Sequence, residues 1–172
     1  MLKIIGILLT IVAFSCTGFS YAKNITTRIE QLNEIKKLTV MLEGELRYGN
    51  STIEEAISAI AKRTSLPFAE FLNNVAGELN KNTGKSFSEI WHENTGKLIE
   101  NTKLNKDDIA EFSSLGSNLG YLDLKAQSES ISLYKERLSL RLDELNEGAE
   151  KKVKMYRSLG VSMGILTAII LL

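Results

Sequence analysis

Cysteine, histidine and proline each occur once, as Cys16, His92 and Pro67. One cysteine excludes an intramolecular disulfide, and with a single histidine beside it the cysteine-based zinc sites are excluded too. Neither sign of charge is in excess, since 21 Lys and Arg face 21 Asp and Glu. A general nucleic-acid binder needs a cationic surplus to hold phosphates, so no nucleic acid is expected as a partner. Strict period-two alternation is missing and β-branched runs are few, so strands are not expected.

Charge is also missing from both ends. Residues 4–22 read IIGILLTIVAFSCTGFSYA, between Lys3 and Lys23. About 20 residues at ~1.5 Å each cross the hydrocarbon layer. Residues 158–172 are again uncharged and end in ILTAIILL. They are short against the roughly 17–25 residues a span needs, but Met155 and Tyr156 extend them if Lys154 and Arg157 snorkel. A buried core helix is the competing reading. Apolarity all round the helix, at the end of the chain, argues against it. Except for Lys3, every charged side chain lies between residues 23 and 157. The expected organisation is a transmembrane helix over 1–22, a soluble domain over 23–157 and a transmembrane helix over 158–172.

The flanking charges give an orientation. Lys23, Arg28, Lys36 and Lys37 follow the first apolar segment, and Lys151, Lys152, Lys154 and Arg157 precede the last. Lys and Arg accumulate on the cytoplasmic side of a membrane. Both anchors therefore place the middle domain in the cytoplasm. Export is the alternative: Ser20-Tyr21-Ala22 resembles a signal-peptidase site, and Ala13-Phe14-Ser15-Cys16 a poor lipobox. Either processing route would leave the cluster at 151–157 on the wrong side. Without lipidation, Cys16 is a small apolar residue of a membrane helix.

Apolar spacing of three and four runs through the rest of the chain. Ile25, Ile29, Leu32, Ile35, Leu38, Leu42 and Leu46 mark a first helix that continues out of the anchor to Tyr48, where Gly49 can take the left-handed C′ conformation. Ser51 with Glu54 reads as a capping box for a second helix with Ile53, Ala56, Ile57 and Ile60 inward. Pro67 starts a third helix, with Phe68, Phe71, Leu72, Val75 and Leu79 on one side. Ser86 and Glu89 form a second capping box, for a helix burying Phe87, Ile90, Trp91, Leu98 and Ile99. Asn105 caps a fifth helix with Ile109, Phe112, Leu115 and Leu119, ended by Gly120. Asp123 caps the last, whose stripe from Ile131 to Tyr156 runs without a breaker into the C-terminal anchor. The expected fold is all-α: a helical bundle of about six helices flanked by N- and C-terminal transmembrane helices.

Chemistry is sparse. Thr83-Gly84-Lys85-Ser86 invites a P-loop reading, but the first Gly of that motif would fall at Leu79, and a helix precedes it where a strand is needed. A helix end followed by an N-cap accounts for it. His92 has no second His or Cys to share a metal and no nucleophile elbow nearby. Glu54-Glu55 and Asp107-Asp108 sit in first helical turns, where they favour the helix dipole. Trp91 reads as core. Gly116 must permit something, because Gly inside a helix costs ~0.5–1 kcal/mol relative to Ala; close helix packing is the first explanation and a binding groove the second. No catalytic residue, cofactor, metal or small-molecule substrate is expected.

With these landmarks placed, the chain resembles the stage III sporulation protein AB family of endospore-forming bacteria over essentially its whole length. The resemblance rests on Leu42-Glu43 with Glu45 and Tyr48-Gly49, then Glu55-Ala56; on Trp91 with Glu93; on Leu115-Gly116, Leu119-Gly120, Asp123 and Gln127; and on Lys154, Arg157 and Leu159-Gly160 before the terminal apolar run. Family members often carry Thr-Pro after the Tyr-Gly, and Asn50-Ser51-Thr52-Ile53 lacks that Pro. The resemblance implies a non-enzymatic part of a channel or secretion-like apparatus between mother cell and forespore. It also implies a soluble part like the cytoplasmic domain of type II secretion platform proteins, which couple a cytoplasmic ATPase to the membrane machinery. The implied partners are the membrane, a stage III sporulation protein AA-type ATPase and other members of the channel, at the mother-cell membrane. The segments that carry the resemblance nominate Glu43, Glu45, Tyr48, Gly49, Gly116, Gly120 and Asp123 as partner-binding residues.

Overall fold

The computed structural model describes residues 2–48, 52–81, 84–119 and 124–171. Six helices follow one another, with no strand among the described residues: α1 (Leu2–Tyr48), α2 (Ile53–Ala61), α3 (Phe68–Asn80), α4 (Phe87–Asn101), α5 (Lys106–Leu119) and α6 (Leu124–Leu171). Helix order and type follow the apolar spacing. Gly49, Gly120 and Asp123, expected to end or cap helices, lie outside the described residues.

The chain divides into two compact units, one of residues Met1–Ile29 with Asp143–Leu172 and one of Glu30–Leu142. In the second unit, Leu32, Ile35, Leu38 and Leu42 form the buried stripe of α1, and Ile131, Tyr134, Leu138 and Leu142 that of α6. The four shorter helices add Ile57 and Ile60, Phe68 and Leu72, Ile90 and Trp91, and Phe112 and Leu115. An aromatic cluster links α3, α4 and α5. Trp91 meets Phe71 edge-on at 4.9 Å and lies 5.1 Å from Phe112 and 5.5 Å from Phe87. Side chains of α1 also hold connecting loops: Gln31 Oε1 accepts from the Lys103 amide at 2.7 Å, and Glu34 Oε1 from the Ser65 amide.

The helix starts differ in detail from expectation. The cap of α2 is Thr52, one residue beyond Ser51: its hydroxyl accepts from the Glu55 amide, and the Glu55 carboxylate accepts from the Thr52 amide. That register turns Ala56, Ile57, Ile60 and Ala61 inward and leaves Ile53 half-buried. Pro67 stands at the cap position of α3, one residue earlier than the first-turn site. The Ser86/Glu89 box opens α4 as expected. Asn105 and Asp108 cap α5 reciprocally, side chain to backbone, at 2.8 and 3.0 Å. Asp108 therefore does more than favour the dipole. It is buried and lies 3.8 Å from Arg141 of α6. Ile99 departs from expectation, being 40% exposed on α4.

In the first unit the two long helices pair along a seam of small residues. A Cβ added at Gly18 would stand 2.6 Å from the Tyr156 carbonyl and 2.9 Å from Gly160 Cα. One added at Gly164 would stand 3.1 Å from Ile11 Cα. Ala22 and Ala168 are buried on the same seam. Away from it, Leu8, Leu9, Val12, Leu166, Ile169 and Ile170 are exposed. Both long helices contain stretches long and apolar enough to cross a bilayer. Thr10, Thr17 and Thr167 return their hydroxyls to carbonyls one turn back, at 2.8–2.9 Å, a bond that satisfies the hydroxyl donor within the helix itself.

Candidate functional site

The last two turns of α1 carry Glu43, Glu45 and Tyr48, and the helical repeat turns them to different sides. Glu43 is largely buried and pairs with Lys135 of α6, with Arg47 at 4.0 Å on its other side. Tyr48 is 80% exposed, with the Arg47 guanidinium 5.5 Å from its ring centre. Glu45 is half-buried. The three residues therefore divide: Glu43 joins α1 to α6, while Tyr48 with Arg47 forms an outward-facing edge. Sequence spacing did not reveal Lys135 as the partner of Glu43, because 92 residues separate them.

Gly116 has a packing role, and the close approach expected there is present. It is buried on α5 beneath the Trp91 ring, and a Cβ there would lie 2.1 Å from both Cγ and Cδ1 of the indole. That closeness lets Trp91 Nε1 reach the Phe112 carbonyl, one turn earlier on α5, at 3.0 Å. Gln127 Nε2 donates to the Leu119 carbonyl at 2.7 Å, satisfying one of the acceptors left over at the end of α5. Glu93 receives Lys85 at 2.6 Å. This pairing raises the Lys85 pKa above its ordinary value, chiefly through the hydrogen bond that the ammonium donates to the Glu93 carboxylate. Lys85 is held by Glu93 and Ser86 caps α4, so these two residues serve a helix start and not a phosphate loop, while Thr83 lies outside the described residues.

Between α4 and α5 lies an open groove of about 300 Å³ lined by His92, Gly96, Ile99, Lys106, Ile109, Ala110 and Ser113. His92 Nδ1 and the Ser113 hydroxyl share a hydrogen bond at 2.7 Å. Among the described residues, no group of three or more His, Cys, Asp or Glu is placed to hold a metal ion.

These features define an all-helical protein with two long, apolar, bilayer-competent helices paired through glycines and a folded unit packed around one tryptophan. Residues 3–172 match the model of stage III sporulation protein AB, and the chain belongs to the stage III sporulation protein AB family. It is 28% identical to the stage III sporulation protein AB of Bacillus subtilis (strain 168) over the full length of both chains. A solved structure of stage III sporulation protein AB matches its fold with a TM-score of 0.66 at 22% identity, covering 72% of this chain and 97% of that one. Two candidate membrane helices in a sporulation protein indicate membrane association.

Proposed function

We propose that the protein is a non-enzymatic platform in the mother-cell membrane, with the unit around Trp91 in the cytoplasm, where it couples a stage III sporulation protein AA-type ATPase to a channel between mother cell and forespore. The observation that carries this reading is helix continuity. α1 and α6 each run unbroken from an apolar segment into the cytoplasmic unit, over 47 and 48 residues. A movement imposed on the cytoplasmic unit can then pass along two continuous helices. The outward-facing edge at Glu45, Arg47 and Tyr48 is the proposed ATPase-facing surface. Gly116 acts through Trp91, and Gly49, Gly120 and Asp123 are kept as proposed partner-binding residues on the resemblance alone. Glu43, already paired with Lys135, positions that edge.

Two variants test binding and transmission separately. A flexible Gly-Ser insertion between Lys152 and Ser158 should abolish spore formation while ATPase co-purification stays intact. Glu45→Lys with Tyr48→Ala should weaken co-purification while the protein stays folded. Full sporulation after the insertion would overturn the coupling role. Unchanged binding of the double variant would move the ATPase surface elsewhere.

A further inference from the structure

The seam in the first unit sets the height at which cationic side chains stand. Tyr21 and Tyr156 stack across it, 5.7 Å between ring centres and 18° between planes. Lys23 is two residues beyond Tyr21 and Lys154 two before Tyr156. With antiparallel helices and ~1.5 Å per residue, both stand about 3 Å to the same side of the tyrosines. Arg157 follows Tyr156 and lies over the Phe19 ring at 5.7 Å. Lys151 and Lys152 stand up to one turn further on, both exposed. Five cations thus occupy a slab about 9 Å deep along the helix axes. The carboxylates of this unit, Asp143, Glu144, Glu147 and Glu150, all precede Lys151. Glu150 alone reaches into the slab, to Lys154 at 2.6 Å. The wholly apolar segments begin on the other side of the tyrosines.

We infer that Lys23, Lys151, Lys152, Lys154 and Arg157 form a collar that binds the phosphates of anionic phospholipids. This inference rests on the membrane reading above. The collar, about 9 Å deep, covers the ~5–7 Å headgroup layer of one leaflet with a residue or two of rise to spare. Lys and Arg near a membrane surface are each drawn to anionic lipid, and tyrosines prefer the interface beside it. The cation–aromatic contact at Phe19 holds Arg157 at the hydrocarbon boundary, where its guanidinium can take a phosphate oxygen pair.

The full chain, purified in detergent, is offered equal amounts of phosphatidylglycerol and phosphatidylcholine, and retained lipid is counted by native mass spectrometry. Phosphatidylglycerol should be retained in preference. Lys151→Gln/Lys152→Gln/Lys154→Gln should reduce that preference on the order of tenfold or more. Lys62→Gln/Arg63→Gln/Lys81→Gln, which removes the same charge elsewhere, should leave it unchanged. Equal preference in wild type and collar variant would overturn the inference, as would equal loss in both triple variants. Displacement of the lipid by millimolar inorganic phosphate would also overturn it, by showing a site for free anions. Carbonate extraction of membranes separates the two readings. Retention of both triple variants in the membrane leaves the membrane reading standing whatever the lipid result, whereas release of the wild type sinks both.

Discussion

Trp91 can lie flat on α5 because residue 116 has no Cβ, and the two residues behave as one structural unit. The atoms a methyl group would meet at 2.1 Å belong to a rigid ring packed among Phe71, Phe87 and Phe112, so neither side has room to yield. Gly116→Ala should push α5 away, break the Trp91–Phe112 hydrogen bond and destabilise the protein by about 1–3 kcal/mol or more. Gly77, inside α3, has open space where its Cβ would go. There Gly77→Ala should stabilise by roughly 0.5–1 kcal/mol, because the unfolded chain loses more freedom at glycine. Urea titration followed by the fluorescence of Trp91, the chain's only tryptophan, measures both. A neutral Gly116→Ala would show that the indole relaxes. The sequence showed that a helical glycine there needed a reason. It could not show which ring lay against it, since Trp91 is 25 residues away and on another helix.

At the scale of the element, apolar spacing and caps located six helices, because those signals lie within a few residues of one another. The misplaced features depended on neighbours far off in sequence. The α2 box moved to Thr52 and Glu55 because either Ser51 or Thr52 could start it, and burial of Ile57, Ile60 and Ala61 fixes the register. Ile99 fitted the α4 stripe by spacing but faces the open groove beside α5. The box at α4 also carries a pH dependence. The Ser86 amide, then the Ser86 hydroxyl, hold the Glu89 carboxyl below its ordinary 4.5, with Lys85 assisting. A carboxyl whose folded value is lowered contributes stability above the unfolded value and loses it as pH falls through the folded one. Wild type should therefore lose stability between pH 7 and pH 3, and Glu89→Gln should lose less over the same interval. The urea midpoint at each pH measures this, and equal losses in the two proteins would remove Glu89 from the account.

For the whole molecule, hydropathy made the two candidate membrane spans visible. Their pairing was hidden, although Gly160-x-x-x-Gly164-x-x-x-Ala168 and Gly18-x-x-x-Ala22 carry the small-residue spacing that lets helices approach closely. If both helices cross the bilayer, the two flanks of the folded unit lie on one side of it, and the basic residues on both flanks favour the cytoplasm. The test uses the single cysteine. In a Cys16→Ala background the chain has no thiol, and Lys81→Cys adds one at an exposed position just after α3. A membrane-impermeant maleimide should leave it unlabelled in intact protoplasts and label it after lysis. Labelling from outside would place the folded unit beyond the membrane and exclude direct contact with a cytoplasmic ATPase. An N-terminus cut after Ala22 would then be the natural reading. Protection instead leaves the cationic collar facing the cytoplasmic leaflet, where anionic headgroups and the ATPase would both be within reach of the same two helices.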